Sequence, residues 1–454
     1  MPIDIPSFKA YDVRGRLPDQ LNEEIALRIG NAMAQYLDAK RVVLGRDIRL
    51  SSESLANAVA DGLMQAGVEV LDIGLGGTEM VYYATGALEA DGGIMVTASH
   101  NPKDYNGLKL VREGARPLSA DTGLNQIREL AESDQRLSAD TRGSRTLTDI
   151  NASYVEHLLS YVDVAKLRPL KIVVNAGNGG AGLTLDRLSE HLPFEFVRVN
   201  HEPDGNFPNG VPNPMLEHNR LSTAKAVKDS GADFGIAWDG DFDRCFLFDE
   251  SGEFIEGYYI VGLLAASILA MEQGGGVVHD PRLTWNTVEV VESSGGRVIQ
   301  SKSGHSFMKA VMREQNAAYG GEMSAHHYFR DFYYCDSGMI PWLLIAEILS
   351  QGDKSLSELV AERIAKFPAS GEINRRVADA TEVMERIWGR YIDQAIASER
   401  VDGISLAFTD WRFNLRASNT EPVIRLNVES RADSNLMHQK TQQLLEEIGG
   451  EIVD

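Results

Sequence analysis

Three stretches of this 454-residue chain carry one rhythm: strand, helix, strand, helix, third strand, then a polar loop. In the first, Val42-Val43-Leu44 runs into Gly45-Arg46-Asp47, and a helical pattern covers Ser52 to Gln65. Val68 to Ile73 and Gly93 to Val96 complete that set. In the second, Lys171 to Val174 runs into Asn175-Ala176-Gly177-Asn178-Gly179, with Phe194 to Val199 and Phe234 to Trp238 following. In the third, Gly276-Val277-Val278 leads into His279-Asp280-Pro281, then Gly296 to Gln300 and a short strand near Ala318-Tyr319. Apolar runs of this length, separated by helix-period stretches, predict parallel doubly wound βα units. The long insertion between Val199 and Phe234 makes the second unit the least regular.

After about Arg363 the pattern changes. Ile404 to Phe408, Trp411 to Leu415 and Val423 to Val428 read as a strand meander, closed by a helix over Asn435 to Ile448. The expected fold class is therefore α/β: three homologous doubly wound α/β units plus a smaller C-terminal α+β domain. Boundaries near Asp149, Glu250 and Phe367 give domains over 1–149, 150–250, 251–367 and 368–454.

Composition narrows the partners. A net charge of −22 argues against nucleic acid and against an anionic membrane, since either needs a basic footprint. Cys245 and Cys335, the two cysteines, cannot build a disulfide framework and suit a reducing compartment. The opening Met1-Pro2-Ile3-Asp4-Ile5-Pro6 has neither a basic start nor the apolar core of a signal peptide. Gly257 to Met271 is apolar but shorter than the about 20 residues a bilayer span needs, so it reads as a buried helix. Met339 to Leu349 is broken by Pro341 and Glu347. The expectation is a soluble, cytoplasmic protein.

Ligands of open α/β sheets bind beyond the carboxyl ends of strands, so the loops after the three third strands are where chemistry is expected. They are Thr97-Ala98-Ser99-His100-Asn101-Pro102, Asp239-Gly240-Asp241-Phe242-Asp243-Arg244 and Gly321-Glu322-Met323-Ser324-Ala325-His326. Each is dense in nucleophilic, anionic or hydrogen-bonding groups. Asp239, Asp241 and Asp243 would repel one another unless a cation joins them, and three carboxylates suit a hard ion such as Mg²⁺. A calcium EF-hand fails on counting, because its sixth position, a required glycine, is Arg244. A solvated acidic turn is the plain alternative.

Ser99 lacks a G-x-S-x-G elbow, and its sequence neighbour His100 cannot be assumed to act as its base. A serine that carries phosphate fits better, since phosphoserine brings acceptor oxygens that could complete a metal shell. An ordinary turn serine before Asn-Pro is the alternative. An acidic protein handling phosphates also needs a locally positive cleft. Candidates are Lys9, Arg14, Lys103, Lys109, Lys302, Arg412, Arg416 and Arg425. Arg416-Ala417-Ser418-Asn419-Thr420, an arginine followed by hydroxyls and an amide, has the make-up of a phosphate clamp.

Taken in order, these motifs resemble the α-D-phosphohexomutase superfamily. Thr97 to Pro102 followed by Asp104-Tyr105-Asn106-Gly107-Leu108-Lys109 resembles its phosphoserine loop, and Asp239 to Arg244 its metal loop. Gly321 to Ser324 resembles the sugar loop and Arg416 to Thr420 the phosphate loop. Tyr11-Asp12-Val13-Arg14-Gly15 and Phe207-Pro208-Asn209 match as well, so the likeness runs along the whole chain. It is nearest to the bacterial phosphomannomutase branch that feeds GDP-mannose and exopolysaccharide synthesis.

The resemblance implies four domains around a central cleft and an isomerase. Mannose 6-phosphate and mannose 1-phosphate would interconvert through phosphorylated Ser99 and a hexose 1,6-bisphosphate intermediate, which also serves as activator. One Mg²⁺ would be held by phosphoserine 99, Asp239, Asp241 and Asp243, with Arg244 beside it. Arg14, His100, Lys109 and His305 would join Ser99 in catalysis, Lys109 and His305 being the candidate general bases. Tyr11, Lys302, Glu322, Ser324, His326, Arg416, Ser418, Asn419, Thr420 and Arg425 would bind the substrate. Partners would be small hexose phosphates; the oligomeric state, monomer or dimer, stays open.

Two departures stand out. Ala325 replaces the glycine common in the sugar loop, and Glu79 in Gly76-Gly77-Thr78-Glu79 replaces a usual proline, so that segment receives no role. A dual-specificity enzyme taking glucose phosphates equally is the alternative within the class. A Mg²⁺-dependent sugar phosphatase is the alternative outside it.

Overall fold

The computed structural model describes residues 3–133, 135–417 and 423–453. It divides into two compact units, residues 1–254 with 326–353, and residues 255–325 with 354–454.

In the first unit the strands Arg41–Arg46, Glu69–Leu75 and Gly92–Val96 form a parallel core, with Arg41–Arg46 in the middle. Gly92–Val96 is buried at every position, which is why its sequence is a run of apolar and small residues rather than an alternation. Tyr105–Arg112 and then Val13–Arg16 add antiparallel strands on that side. Helices Glu23–Leu37 and Ser52–Gln65 cover the sheet, burying Ile25, Ile29, Leu55, Val59 and Leu63. The second sheet of the unit has the order Cys245–Phe248, Phe234–Trp238, Lys171–Asn175, Glu195–Val199. Phe234–Trp238 is parallel to Lys171–Asn175 but antiparallel to Cys245–Phe248. The expected insertion after Val199 contains one helix, Glu217–Ser230.

In the second unit, Gly276–His279 lies between the parallel strands Arg297–Gln300 and Tyr319–Gly321. The apolar run expected to be a buried helix is the helix Gly257–Met271, with Tyr258, Ile260, Leu264 and Leu269 inside. The C-terminal sheet is antiparallel and contains the expected meander Ile404–Ala407, Trp411–Ala417 and Val423–Ser430. Ile373–Arg376, Ala397–Glu399 and Glu451–Val453 were not foreseen; they are three or four residues long, and the last two are edge strands. Phe408 stacks on Trp411 with ring centroids 4.2 Å apart, in a core shared with Tyr391 and Phe413. Among the described residues no helix is long and apolar enough to cross a membrane.

Candidate active site

The loop after Gly92–Val96 turns the chain into the antiparallel strand Tyr105–Arg112, where Val96 faces Leu108 and Met95 faces Lys109. Ser99, on this loop, is buried and holds φ at 49°. A non-glycine residue keeps that left-handed conformation only where its surroundings enforce it, at about 1–3 kcal/mol. The enforcement is visible. Ser99 N donates to Thr97 Oγ1 (2.9 Å), and the Arg49 guanidinium donates to four carbonyls, those of Ser99 (2.9 Å), Asn101 (2.6 Å), Pro102 (2.8 Å) and Tyr105 (3.0 Å). Arg14 donates to Asn101 Oδ1 (2.6 Å) and Asp12 (2.6 Å), which ties the Tyr11–Gly15 segment to the same loop.

Ser99 and His100, although adjacent in sequence, do meet: Oγ lies 3.0 Å from His100 Nδ1. Burial, together with Arg244 and Arg14, holds His100 well below the usual imidazole range, so it is neutral. Ser99 Oγ also donates to Asp239 Oδ2 at 2.8 Å.

The aspartate loop is the turn of a hairpin in which Trp238 and Cys245 are register partners, so three carboxylates are confined within it. All three are buried. A Cβ on Gly240 would stand 2.6 Å from the Ser99 carbonyl oxygen, so only glycine allows the two loops this close. Lys109 donates to Asp241 Oδ2 (2.7 Å) and Asp243 Oδ2 (2.5 Å). Despite burial, those two carboxylates raise the ammonium's affinity for its proton, leaving Lys109 a cation here rather than a proton acceptor. Burial, with Asp243 and Asp241 adding to it, pushes Asp239 up to about 7. Burial alone would do the same to Asp243, but Lys109, His326 and Arg244 hold it well below the usual carboxylate range. Arg244 Nε donates to His326 Nε2 (3.1 Å) and stands 3.6 Å from Asp239 Oδ2.

One oxygen from each of the three aspartates can be drawn within 4.8 Å of the others, and Asp241 Oδ1 is buried without a hydrogen-bond partner among the described residues. An all-oxygen, strongly negative donor set with a buried unsatisfied lone pair fits a hard divalent cation.

The second unit carries a separate polar cluster. Glu322 Oε1 accepts from Gly304 N (2.8 Å), the cap of the helix His305–Gln315, which fixes the helix start bearing His305 beside the sugar loop. Buried Arg282 is paired with Asp280 (2.8 Å), reaches Glu322 (3.5 Å) and donates to Ser324 Oγ (3.4 Å). Arg282 also lies 3.5 Å from Glu372, which accepts from Arg416 (2.9 Å) and Arg425 (3.4 Å). Burial opposes ionisation of Glu372, but Arg416, Arg282 and Arg425 outweigh it and hold the carboxyl at about 2. Glu322, Ser324, Arg416 and Arg425 are thus one connected set. Lys302 is exposed and lies 5.7 Å from the Phe307 ring. Ser418, Asn419 and Thr420 fall outside the described residues.

Arg412, expected in a positive cleft, is instead buried, donating to Glu429 (2.7 Å) and to the carbonyls of Arg282 and Pro281. Arg49, Thr78, Asp280, Arg282 and Glu372 were missed. For Arg49 and Arg282 the signal existed. Each follows the first strand of its repeat in an Asp-x-Arg step, its own N–H bonded to that aspartate (3.0 and 2.9 Å), and each grips the loop after its third strand.

The fold and site together define a phosphohexomutase-type architecture, three α/β/α segments followed by a different C-terminal domain. Sequence models described as phosphoglucomutase/phosphomannomutase α/β/α domains I, II and III match residues 6–137, 152–252 and 256–367, and that of the C-terminal domain matches 372–446. The chain belongs to the phosphoglucomutase/phosphomannomutase family. It is 63% identical over 441 residues to a Xanthomonas campestris pv. campestris protein named phosphohexose mutases, covering 97% of this chain and 98% of the relative. It is 57% identical over 445 residues to the phosphomannomutase of Escherichia coli K12, covering 96% and 98%. A solved structure of a family member from Burkholderia thailandensis superposes with TM-score 0.89 at 31% identity, covering 99% of each chain.

Proposed function

We propose that this protein is an isomerase, a phosphomannomutase that interconverts mannose 6-phosphate and mannose 1-phosphate. The observation that carries the reading is the Ser99–Asp239 contact inside a buried aspartate trio, in a chain 57% identical to a phosphomannomutase over nearly its full length. In this reading Ser99 carries the phosphoryl group. The P–O bond to Ser99 Oγ breaks as one forms to the free sugar hydroxyl, giving a hexose 1,6-bisphosphate; the reverse transfer of the other phosphate restores phosphoserine and releases the isomer. Asp239, Asp241, Asp243 and phosphoserine 99 would hold one Mg²⁺. When bound, that ion supplies neutralisation of the charge on the transferring phosphoryl oxygens.

The chain's own groups do the rest. Neutral His100, 3.0 Å from Ser99 Oγ, is placed to take or return a proton at that oxygen. Lys109 and Arg244 supply fixed positive charge near the reacting phosphoryl. Glu322 and Ser324 read sugar hydroxyls, while Arg416, Arg425 and the segment Ser418, Asn419, Thr420 take the phosphate that is not reacting. Tyr11, Lys302, His305 and His326 complete the assignment, His305 as candidate base at the sugar hydroxyl. Free hexose 1,6-bisphosphate would recharge a dephosphorylated enzyme. The four domains, over 1–149, 150–250, 251–367 and 368–454, would each contribute one loop. Two buried thiols, Cys245 and Cys335, support a reducing, cytoplasmic location.

The test is kcat/KM for mannose 1-phosphate against glucose 1-phosphate, on one preparation with Mg²⁺ and catalytic hexose 1,6-bisphosphate. A clear preference for mannose is the expected result. Equal values would make the enzyme dual-specific, and net release of inorganic phosphate would make it a phosphatase.

A further inference from the structure

Glu79 has no part in the site as built above, yet it is fully buried in the first turn of the helix Thr78–Ala87. A carboxyl in that position must be bonded on both oxygens or destabilise the fold. It is bonded on both. Oε1 accepts from the Tyr154 hydroxyl, and Oε2 from Gly338 N (2.5 Å) and Met339 N (3.3 Å), just before the helix Ile340–Gln351.

The Gly338 peptide is also a support for the aspartate loop. Its carbonyl accepts from Trp238 Nε1 at 2.8 Å, the residue before Asp239. A Cβ on Gly338 would lie 2.4 Å from the Phe242 carbonyl oxygen and 3.0 Å from that of Arg244, so this peptide rests directly on the loop's backbone. On the other side of Glu79, Thr78 donates from Oγ1 to Asp241 Oδ2 (2.5 Å) and from N to Asp241 O (3.1 Å). Loop 239–244 is therefore gripped by two segments, 77–78 and 338, and the Glu79 side chain joins them.

We propose that Glu79 is a positioning residue for the divalent-cation site, acting through the Gly338 peptide on one side and Thr78 on the other. The inference rests on the metal reading of the aspartate trio. It gives a physical role to outer groups that orient ligands, whose loss typically costs about 10–100-fold in metal affinity. Burial raises the Glu79 carboxyl to about 8, against the opposing bonds from Tyr154 and the backbone. At neutral pH it is therefore an uncharged acid, Oε2 accepting from the two backbone N–H groups and the proton on Oε1 shared with the Tyr154 hydroxyl. A glutamine offers the same pattern of acceptor and donor; an alanine offers neither.

The experiment measures Mn²⁺ binding to metal-stripped wild type, Glu79→Gln, Glu79→Ala and Trp238→Phe, by the electron paramagnetic resonance signal of free Mn²⁺, with thermal melts alongside. The proposal expects near-wild-type affinity in Glu79→Gln and a loss of about tenfold or more in Glu79→Ala. Trp238→Phe, which removes the indole N–H that bonds Gly338 together with part of a buried ring, should lose affinity in the same direction. Should Glu79→Ala fail to fold, the Glu79→Gln and Trp238→Phe pair decides. Wild-type affinity in Trp238→Phe, or in a folded Glu79→Ala that merely melts earlier, would overturn the proposal. So would a Glu79→Gln loss as large as that of alanine. Wild type that takes up no stoichiometric Mn²⁺ would overturn the metal reading itself, and this inference with it.

Discussion

Ser99 Oγ donates to Asp239 Oδ2 at 2.8 Å across 140 residues of sequence, which ties the end of one α/β repeat to the end of the next. Both groups are buried, and the contact needs a left-handed serine on one side and a glycine, Gly240, on the other.

Arg49 holds the serine loop by four carbonyl bonds and is itself almost fully buried beside Asp47. Arg49→Ala leaves Asp47 uncompensated, and the expected loss of stability is about 3–5 kcal/mol. Arg49→Lys keeps the charge but not the planar fork, so it should retain the fold yet lose most of its kcat. Urea unfolding and steady-state kinetics on both variants check this.

Gly240→Ala places a methyl 2.6 Å from the Ser99 carbonyl oxygen, closer than real contacts allow. The loops must part. The expected result is a large fall in kcat with a modest fall in melting temperature, because the rest of the hairpin is untouched. Unchanged kcat would mean that the Ser99–Asp239 spacing is not critical.

Glu372 governs the acid stability of the second unit. Its carboxyl is held at about 2, below the ordinary 4.5, so its contribution is fully present above pH about 4.5 and disappears as pH falls through 2. The gap corresponds to on the order of 3 kcal/mol. Glu372→Gln should therefore be less stable than wild type at pH 6, and the difference should hold down to about pH 4.5 and then shrink toward pH 3. Melting temperatures across that range provide the check.

Much of this was legible in the sequence because the repeat is carried by apolar runs, and buried parallel strands leave little choice of residue. The three loops at the strand ends could be named for the same reason, and Ser99, Asp239, Asp241 and Asp243 meet as expected. What stayed hidden was second-layer chemistry. Glu372 acts through partners 44 or more residues away, and no local pattern announces that; Arg49 shares its Asp-x-Arg step with Arg282, but the carbonyls it grips lie 50 or more residues away. Glu79 was set aside because it broke an expected motif; burial, which a linear reading does not see, is what gives it weight. Adjacency alone did not settle whether Ser99 and His100 pair; the fold sets Ser99 Oγ 3.0 Å from His100 Nδ1, on a serine with φ at 49°.

Whether Ser99 carries the phosphoryl group is decided by ³¹P NMR of mannose 1-phosphate turnover. Wild type and Ser99→Ala are compared with Mg²⁺ and catalytic hexose 1,6-bisphosphate, with substrate binding measured separately by calorimetry. Wild type is expected to yield mannose 6-phosphate, and the variant to show no turnover but retained binding. Near-normal conversion by Ser99→Ala would contradict a phosphoryl-carrying Ser99.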